Sequence, residues 1–143
     1  MAETQIDVEF LFRLTAEVGS FDHALIANGP SGTRLIAPVV GGSFEGPDIR
    51  GRIVAPAGDW VYARQNRVIK LDVRLQLVTD DGEHILMEYQ GIGRPQEDGT
   101  TQIRSAPLFE TGSETYAWLN DLQAVGIGQS AGDAVSYDIY RVL

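Results

Sequence analysis

Asp72 and Arg74 are the pair whose types and spacing come nearest to chemistry. They lie two residues apart in an alternating segment, so they share one face of a strand. Enclosed in a barrel, a carboxylate there can act as a general base, and a guanidinium can hold an anionic ligand or a developing enolate. On an open face the same residues, with Lys70 and Gln76, form a solvated exterior; alternation leaves both orientations open. Asp59-Trp60 is the second candidate, an acid beside an aromatic where a loop leads into a strand. That position suits a barrel mouth, and equally a turn followed by a packing anchor. Tyr116-Ala117-Trp118-Leu119-Asn120 is the third, with two aromatics and an amide in a short run. Such side chains suit an apolar pocket with a few polar contacts, and a well-satisfied core as well.

Other motifs lack the context their chemistry needs. Gly128-Gln129-Ser130-Ala131-Gly132 matches the G-x-S-x-G elbow of serine hydrolases, which requires a strand-to-helix turn and then an acid and a His further along. No His follows Gly132, and a strand is expected next. Gly126, Gly128 and Gly132 miss the dinucleotide fingerprint because their last spacing is one too long and no βαβ unit surrounds them. No phosphate-cradling P-loop sequence is present. His23, in an expected loop, and His84, just past an expected hairpin turn, are the two imidazoles and lie far apart. Neither sits in a close His/carboxylate cluster, so no metal is expected. With 0 cysteines, thiol nucleophiles, thiolate zinc sites and disulfides are excluded. No cofactor is expected.

The elements that must position these residues are strands. Val8, Phe10, Phe12, Leu14, Ala16 and Val18 alternate with mostly polar neighbours, and Leu11 breaks the pattern. From Arg67 to Thr79, Ile69, Leu71, Val73, Leu75 and Leu77 point one way and Lys70, Asp72, Arg74 and Gln76 the other. Asp80-Asp81-Gly82 then turns the chain, and Ile85, Met87 and Tyr89 alternate on the way back. Thr33–Val40 and Ile49–Ala55 read as strands around a Gly-rich corner, and Trp60–Arg64 as another. Asp98-Gly99 is a second turn signal, before Thr101–Phe109; Leu122–Gln129 and Val135–Val142 complete the set. Only Glu114–Gln123 offers two or three helical turns. Long strands, frequent hairpins and no βαβ rhythm predict an all-β, closed antiparallel barrel with at most one short helix.

The 143 residues match one domain, 1–143, which can bury a core without staples. A net charge of −9 argues against nucleic acid and against an anionic membrane surface. Residues 1–7 carry no basic and apolar leader pattern, and no run of about 18 apolar residues occurs, so a cytoplasmic location is expected. The generous apolar faces leave room for a homo-oligomer.

Four segments in order carry a family resemblance: Gly41-Gly42-Ser43-Phe44-Glu45-Gly46-Pro47; Gly58-Asp59-Trp60; Asp72-Val73-Arg74 with Thr79-Asp80-Asp81-Gly82; and Phe109-Glu110-Thr111-Gly112 with Tyr116 to Asn120. With the closing Val135–Tyr140 they span nearly the whole chain. The chain resembles the bacterial and fungal family of uncharacterised small barrels called domain of unknown function 3237. Pro56-Ala57-Gly58 stands where a double glycine is more usual, a departure that touches the local loop. The resemblance implies a lipocalin-like barrel and a shared pocket for Asp59, Trp60, Asp72, Arg74, Tyr116, Trp118 and Asn120.

The expected function is binding of a small organic ligand, with cofactor-independent proton transfer on an aromatic or carbonyl compound, as an isomerase or lyase. Asp72 or Asp59 is the expected base and Arg74 the anion stabiliser. Trp60, Tyr89, Tyr116, Trp118 and Asn120 are the expected substrate contacts. The alternatives are a non-catalytic carrier or sensor of a hydrophobic ligand, and a structural module with a filled interior.

Overall fold

The computed structural model describes residues 2–20 and 26–143. Ten strands follow in order: β1 (Val8–Val18), β2 (Ile26–Gly29), β3 (Gly32–Glu45), β4 (Arg50–Ala63), β5 (Ile69–Thr79), β6 (His84–Pro95), β7 (Thr101–Ser105), β8 (Leu108–Glu110), β9 (Ala124–Ala131) and β10 (Ala134–Val142). Every recorded pairing is antiparallel. The sheet runs β1-β10-β9-β7-β6-β5-β4-β3, and β3 returns to β1, so the ring closes. β2 extends β3 at the edge, and β8 continues the β7 side of β6.

Closure gives every ring strand an inner and an outer face. Leu71, Val73, Leu75 and Leu77 of β5 are buried, as are Ile85, Met87 and Tyr89 of β6. They join Phe12, Leu14, Phe44 and Ile139 in one contiguous core. Each fully buried aliphatic or aromatic side chain contributes about 1.5–3 kcal/mol. The Asp80-Asp81-Gly82 turn takes its positive φ at Gly82, and the next hairpin takes it at Gly99.

Three elements differ from the sequence expectation. In β1 the pairing with β10 slips between Phe10 and Phe12. The slip turns Leu11 inward and leaves Phe10 outside, packed edge-on against Tyr140. In β4 the Ile49–Ala55 and Trp60–Arg64 segments are one continuous strand, whose pairing shifts between Val54 and Gly58. Asp59 therefore lies within a strand and not on a loop. The Glu114–Gln123 stretch forms one short 3-10 turn, Ala117–Asp121, with no side-chain cap on its first residue.

That turn packs on the barrel through Leu119, which is fully buried. Asn120 fixes it, accepting from the Thr111 N–H at 2.8 Å and donating back to the Thr111 carbonyl at 3.0 Å. The Thr111 hydroxyl donates to the His84 carbonyl at 2.7 Å, and the Tyr116 hydroxyl donates to Asp81 Oδ1 at 2.9 Å. Among the described residues no helix is long and apolar enough to cross a membrane.

Candidate functional site

Asp59 sits directly across β4–β5 from Val73, and Val73 directly across β5–β6 from Tyr89. Directly opposed residues project from the same face. Val73 and Tyr89 are buried core residues, so this row of side chains faces the lumen. The recorded β4–β5 pairs pass from Asp59↔Val73 to Tyr62↔Lys70, and in that gap Asp59 Oδ1 accepts the Asp72 N–H at 2.9 Å. A side-chain carboxylate thus takes a main-chain donor of the ladder, which fixes its direction.

Burial holds the Asp59 carboxyl up at about 6; the Asp72 N–H pulls against this rise, and the Asp72 charge adds to it. Two tyrosines share its surroundings. Tyr89 and Tyr137 meet edge to face with ring centroids 5.4 Å apart. Burial pushes both phenols well up, and the charge of Asp59 raises each further. Both therefore stay protonated at neutral pH. Their hydroxyls interact with each other, and that hydrogen bond raises Tyr89 further and pulls Tyr137 back down. The lumen thus offers a partly desolvated carboxylate that ionises near neutrality beside phenols that do not ionise. That combination can accept a proton from a bound molecule and donate hydrogen bonds to it.

The other expected site residues fall elsewhere. Asp72 and Arg74 stand on the exposed face of β5, because Leu71, Val73 and Leu75 fill the inner one. Of the two orientations left open, the solvated exterior is correct, and neither residue shares the lumen. Trp60 points out of the barrel, 47% exposed, since it follows inward Asp59 in a period of two. Tyr116 and Asn120 are engaged with Asp81 and Thr111, so they fasten the 3-10 turn. Trp118 is half-buried against the core from the same turn. Tyr89 is inward and buried in the core. His84 is exposed at the start of β6, and His23 lies outside the described residues. Among the described residues no three His, Cys, Asp or Glu side chains are grouped to hold a metal.

Tyr137 did not emerge from the sequence as a site residue. Tyr137 reads there as one aromatic in a closing strand. Its signal is the alternation Val135, Tyr137, Ile139, which sets it on the inner face beside Leu14. A groove of about 920 Å³ near the Gln96–Thr100 turn is lined by Arg13, Gln102, Arg104, Gln129 and Asp138 among others, including Tyr137. Asp59 is not on its wall, and its charged, open lining is that of a solvated surface. The desolvated carboxylate, not this groove, marks the candidate site.

The family described as protein of unknown function, DUF3237, matches residues 6–142. The chain belongs to this family. A UPF0311 protein of Rhodopseudomonas palustris is 29% identical, with the match covering 96% of this chain and 97% of that protein. The crystal structure of a β-barrel-like protein from Acinetobacter baumannii superposes with a TM-score of 0.90 at 28% identity, covering 99% of each chain. An enzyme from Penicillium herquei superposes with a TM-score of 0.76 at 23% identity, covering 100% of this chain and 98% of that one, a likeness of fold. The same barrel fold thus recurs in bacterial and fungal proteins.

Proposed function

We propose that this DUF3237 barrel binds a small aromatic or carbonyl compound in its lumen and moves a proton on it without a cofactor. The observation that carries the reading is Asp59, an inward carboxyl held up at about 6 by burial and set among protonated tyrosines. A base with that affinity is half-ionised near pH 6 and still takes a proton from an activated position, where matching to the working pH is most effective. Asp59 accepts the proton, and the buried phenols donate to the oxygen on which charge develops. Isomerisation is complete when Asp59 returns that proton to another carbon of the enolate, and elimination when the enolate expels a group from its β-carbon. The Penicillium herquei neighbour, described as an enzyme, lends support at the level of the fold's capacity.

The test begins with thermal unfolding in the presence of phenols, aromatic acids, lactones and enones, with product analysis of each hit. A ligand at a hundred times its dissociation constant adds about 2.7 kcal/mol. Asp59→Asn is expected to lower turnover of a converted hit by about 10²- to 10⁴-fold while leaving its binding measurable. Full turnover by Asp59→Asn removes Asp59 as the base. Hits that bind and emerge unchanged favour a carrier.

A further inference from the structure

Trp60, Asp72 and Arg74, which stand outside the lumen, share one surface on the outer wall of β3, β4 and β5. Ile36 lies directly across β3–β4 from Trp60, and Arg74 directly across β4–β5 from Gly58. The Trp60 ring reaches back over Gly58, where an added methyl would stand 3.6 Å from its Cζ3. Trp60 is 47% exposed and Ile36 40%, and Ile26 and Val40 extend the apolar surface along β2 and β3. Beside them the Arg34 guanidinium lies over the Tyr62 ring, 5.1 Å from its centroid. Trp, Tyr and Arg around aliphatic side chains are the residue types that dominate binding at protein interfaces. A contiguous exposed apolar surface with a polar rim marks such a site.

The charges on this wall indicate the partner. Asp72 and Arg74 carry opposite signs two residues apart on β5, and among the described residues neither belongs to an ion pair. A chain of net charge −9 repels its own copies, so two copies meet where the local charge is mixed and can cross-pair. The other apolar stretch of the outer wall, Phe10 against Tyr140, differs on this point. Its neighbouring charges are already paired within the barrel, Arg13 with Asp138 at 3.5 Å and Glu9 with Arg141 at 3.8 Å.

We propose that the outer wall of β3, β4 and β5 is the interface of a homodimer, in which two copies stack face to face with their β5 strands antiparallel. A two-fold axis crossing β5 at Val73 sets Asp72 against the partner's Arg74, and Arg74 against the partner's Asp72. Lys70 then faces the partner's Gln76 and not a second lysine. Asp59 is level with Val73, so Trp60 lies over the partner's Gly58 and Ile36 over the partner's Pro38. The contact is isologous, so each pairing occurs twice. This dimer stands apart from the luminal chemistry proposed above.

Sedimentation velocity of the full chain tests it. A face three strands wide lies at the small end of stable interfaces, so the dimer is expected to dissociate at about 1–100 µM. Asp72→Arg and Arg74→Asp are each expected to be monomeric alone, to form a heterodimer when mixed, and to restore the homodimer when combined in one chain. Heterodimer formation also shows that both single variants are folded. Trp60→Ala is expected to weaken the dimer by at least about tenfold, and Phe10→Ser to leave it unchanged. Near-ultraviolet circular dichroism like that of the parent separates lost pairing from misfolding. A parent that stays monomeric throughout this range overturns the proposal. So does a dimer that persists in both single charge variants, or charge variants that fold but fail to pair when mixed. A dimer lost in Phe10→Ser and kept in Trp60→Ala places the interface on the β1–β10 wall and overturns it as well.

Discussion

Replacing Asp59 with Asn keeps an oxygen for the Asp72 N–H and removes only the charge, so the variant isolates the effect of ionisation. Burial holds the folded carboxyl at about 6, against an ordinary aspartate value of 3.8. Folding therefore favours its protonated form. Its contribution is fully present below about pH 4 and is lost as pH rises through about 6. Asp59→Asn is expected to match the parent near pH 4 and to exceed it by roughly 1–2 kcal/mol at pH 7.5, after allowance for solvent contact. Urea unfolding at the two pH values checks this. On the proposed reading, turnover is expected to run the other way, rising with pH through about 6 as the base ionises. Asp72 acts on that profile from outside the lumen, because its charge raises Asp59. Asp72→Asn should move the rising limb of the pH–rate curve to lower pH with an unchanged plateau. Arg74→Ala, on the same exposed face, should alter stability by less than about 0.5 kcal/mol.

The β5–β6 hairpin was legible because its apolar period of two is unbroken and its turn carries Asp-Gly. β1 and β4 were legible as strands but not in register, since a single slipped residue exchanges the two faces. The slip at Phe10 sends Leu11 inward, and the shift between Val54 and Gly58 carries Asp59 from an expected loop into a strand. Site residues followed the same rule. Asp59 and Tyr89 were named by residue type and both turn out to face inward, and Asp72 and Arg74 could be placed only once the inner face of β5 was known. Tyr137 stayed hidden because its nearness to Tyr89 and Asp59 is set across the barrel, not along the chain. The 3-10 turn reads as a pocket in sequence and as a fastening in three dimensions. Asn120→Ala removes both hydrogen bonds to Thr111 at an exposed position and should cost about 1 kcal/mol. Leu119→Ala empties a fully buried site and should cost about 2–5 kcal/mol. Measured by chemical denaturation, both should leave the affinity for luminal ligands within twofold.

At the scale of the whole molecule, closure joins distant parts of the chain. Val8 pairs with Val142, and the Leu143 N–H donates to the Asp7 carbonyl at 3.0 Å. A permuted chain that links Leu143 to Asp7 and opens at Asp98-Gly99, an exposed turn, should fold to the same barrel with the same near-ultraviolet circular dichroism. A chain lacking β10 should not fold, because β1 and β9 would both become open edges. The same closure sets a timetable during synthesis. β1 finds β3 early, while β10, its other neighbour, is made about a hundred residues later, roughly 5–20 s at ordinary elongation rates. For that interval one flank of a strand containing Phe10, Leu11, Phe12 and Leu14 is unsatisfied in a crowded cell. Glu9, Arg13 and Glu17 interrupt it with charge, which discourages stray strands from joining. When β10 arrives, two of those charges change occupation. Arg13 turns to Asp138 at 3.5 Å and Glu9 to Arg141 at 3.8 Å. The residues that guard the nascent edge become the clasp that shuts it.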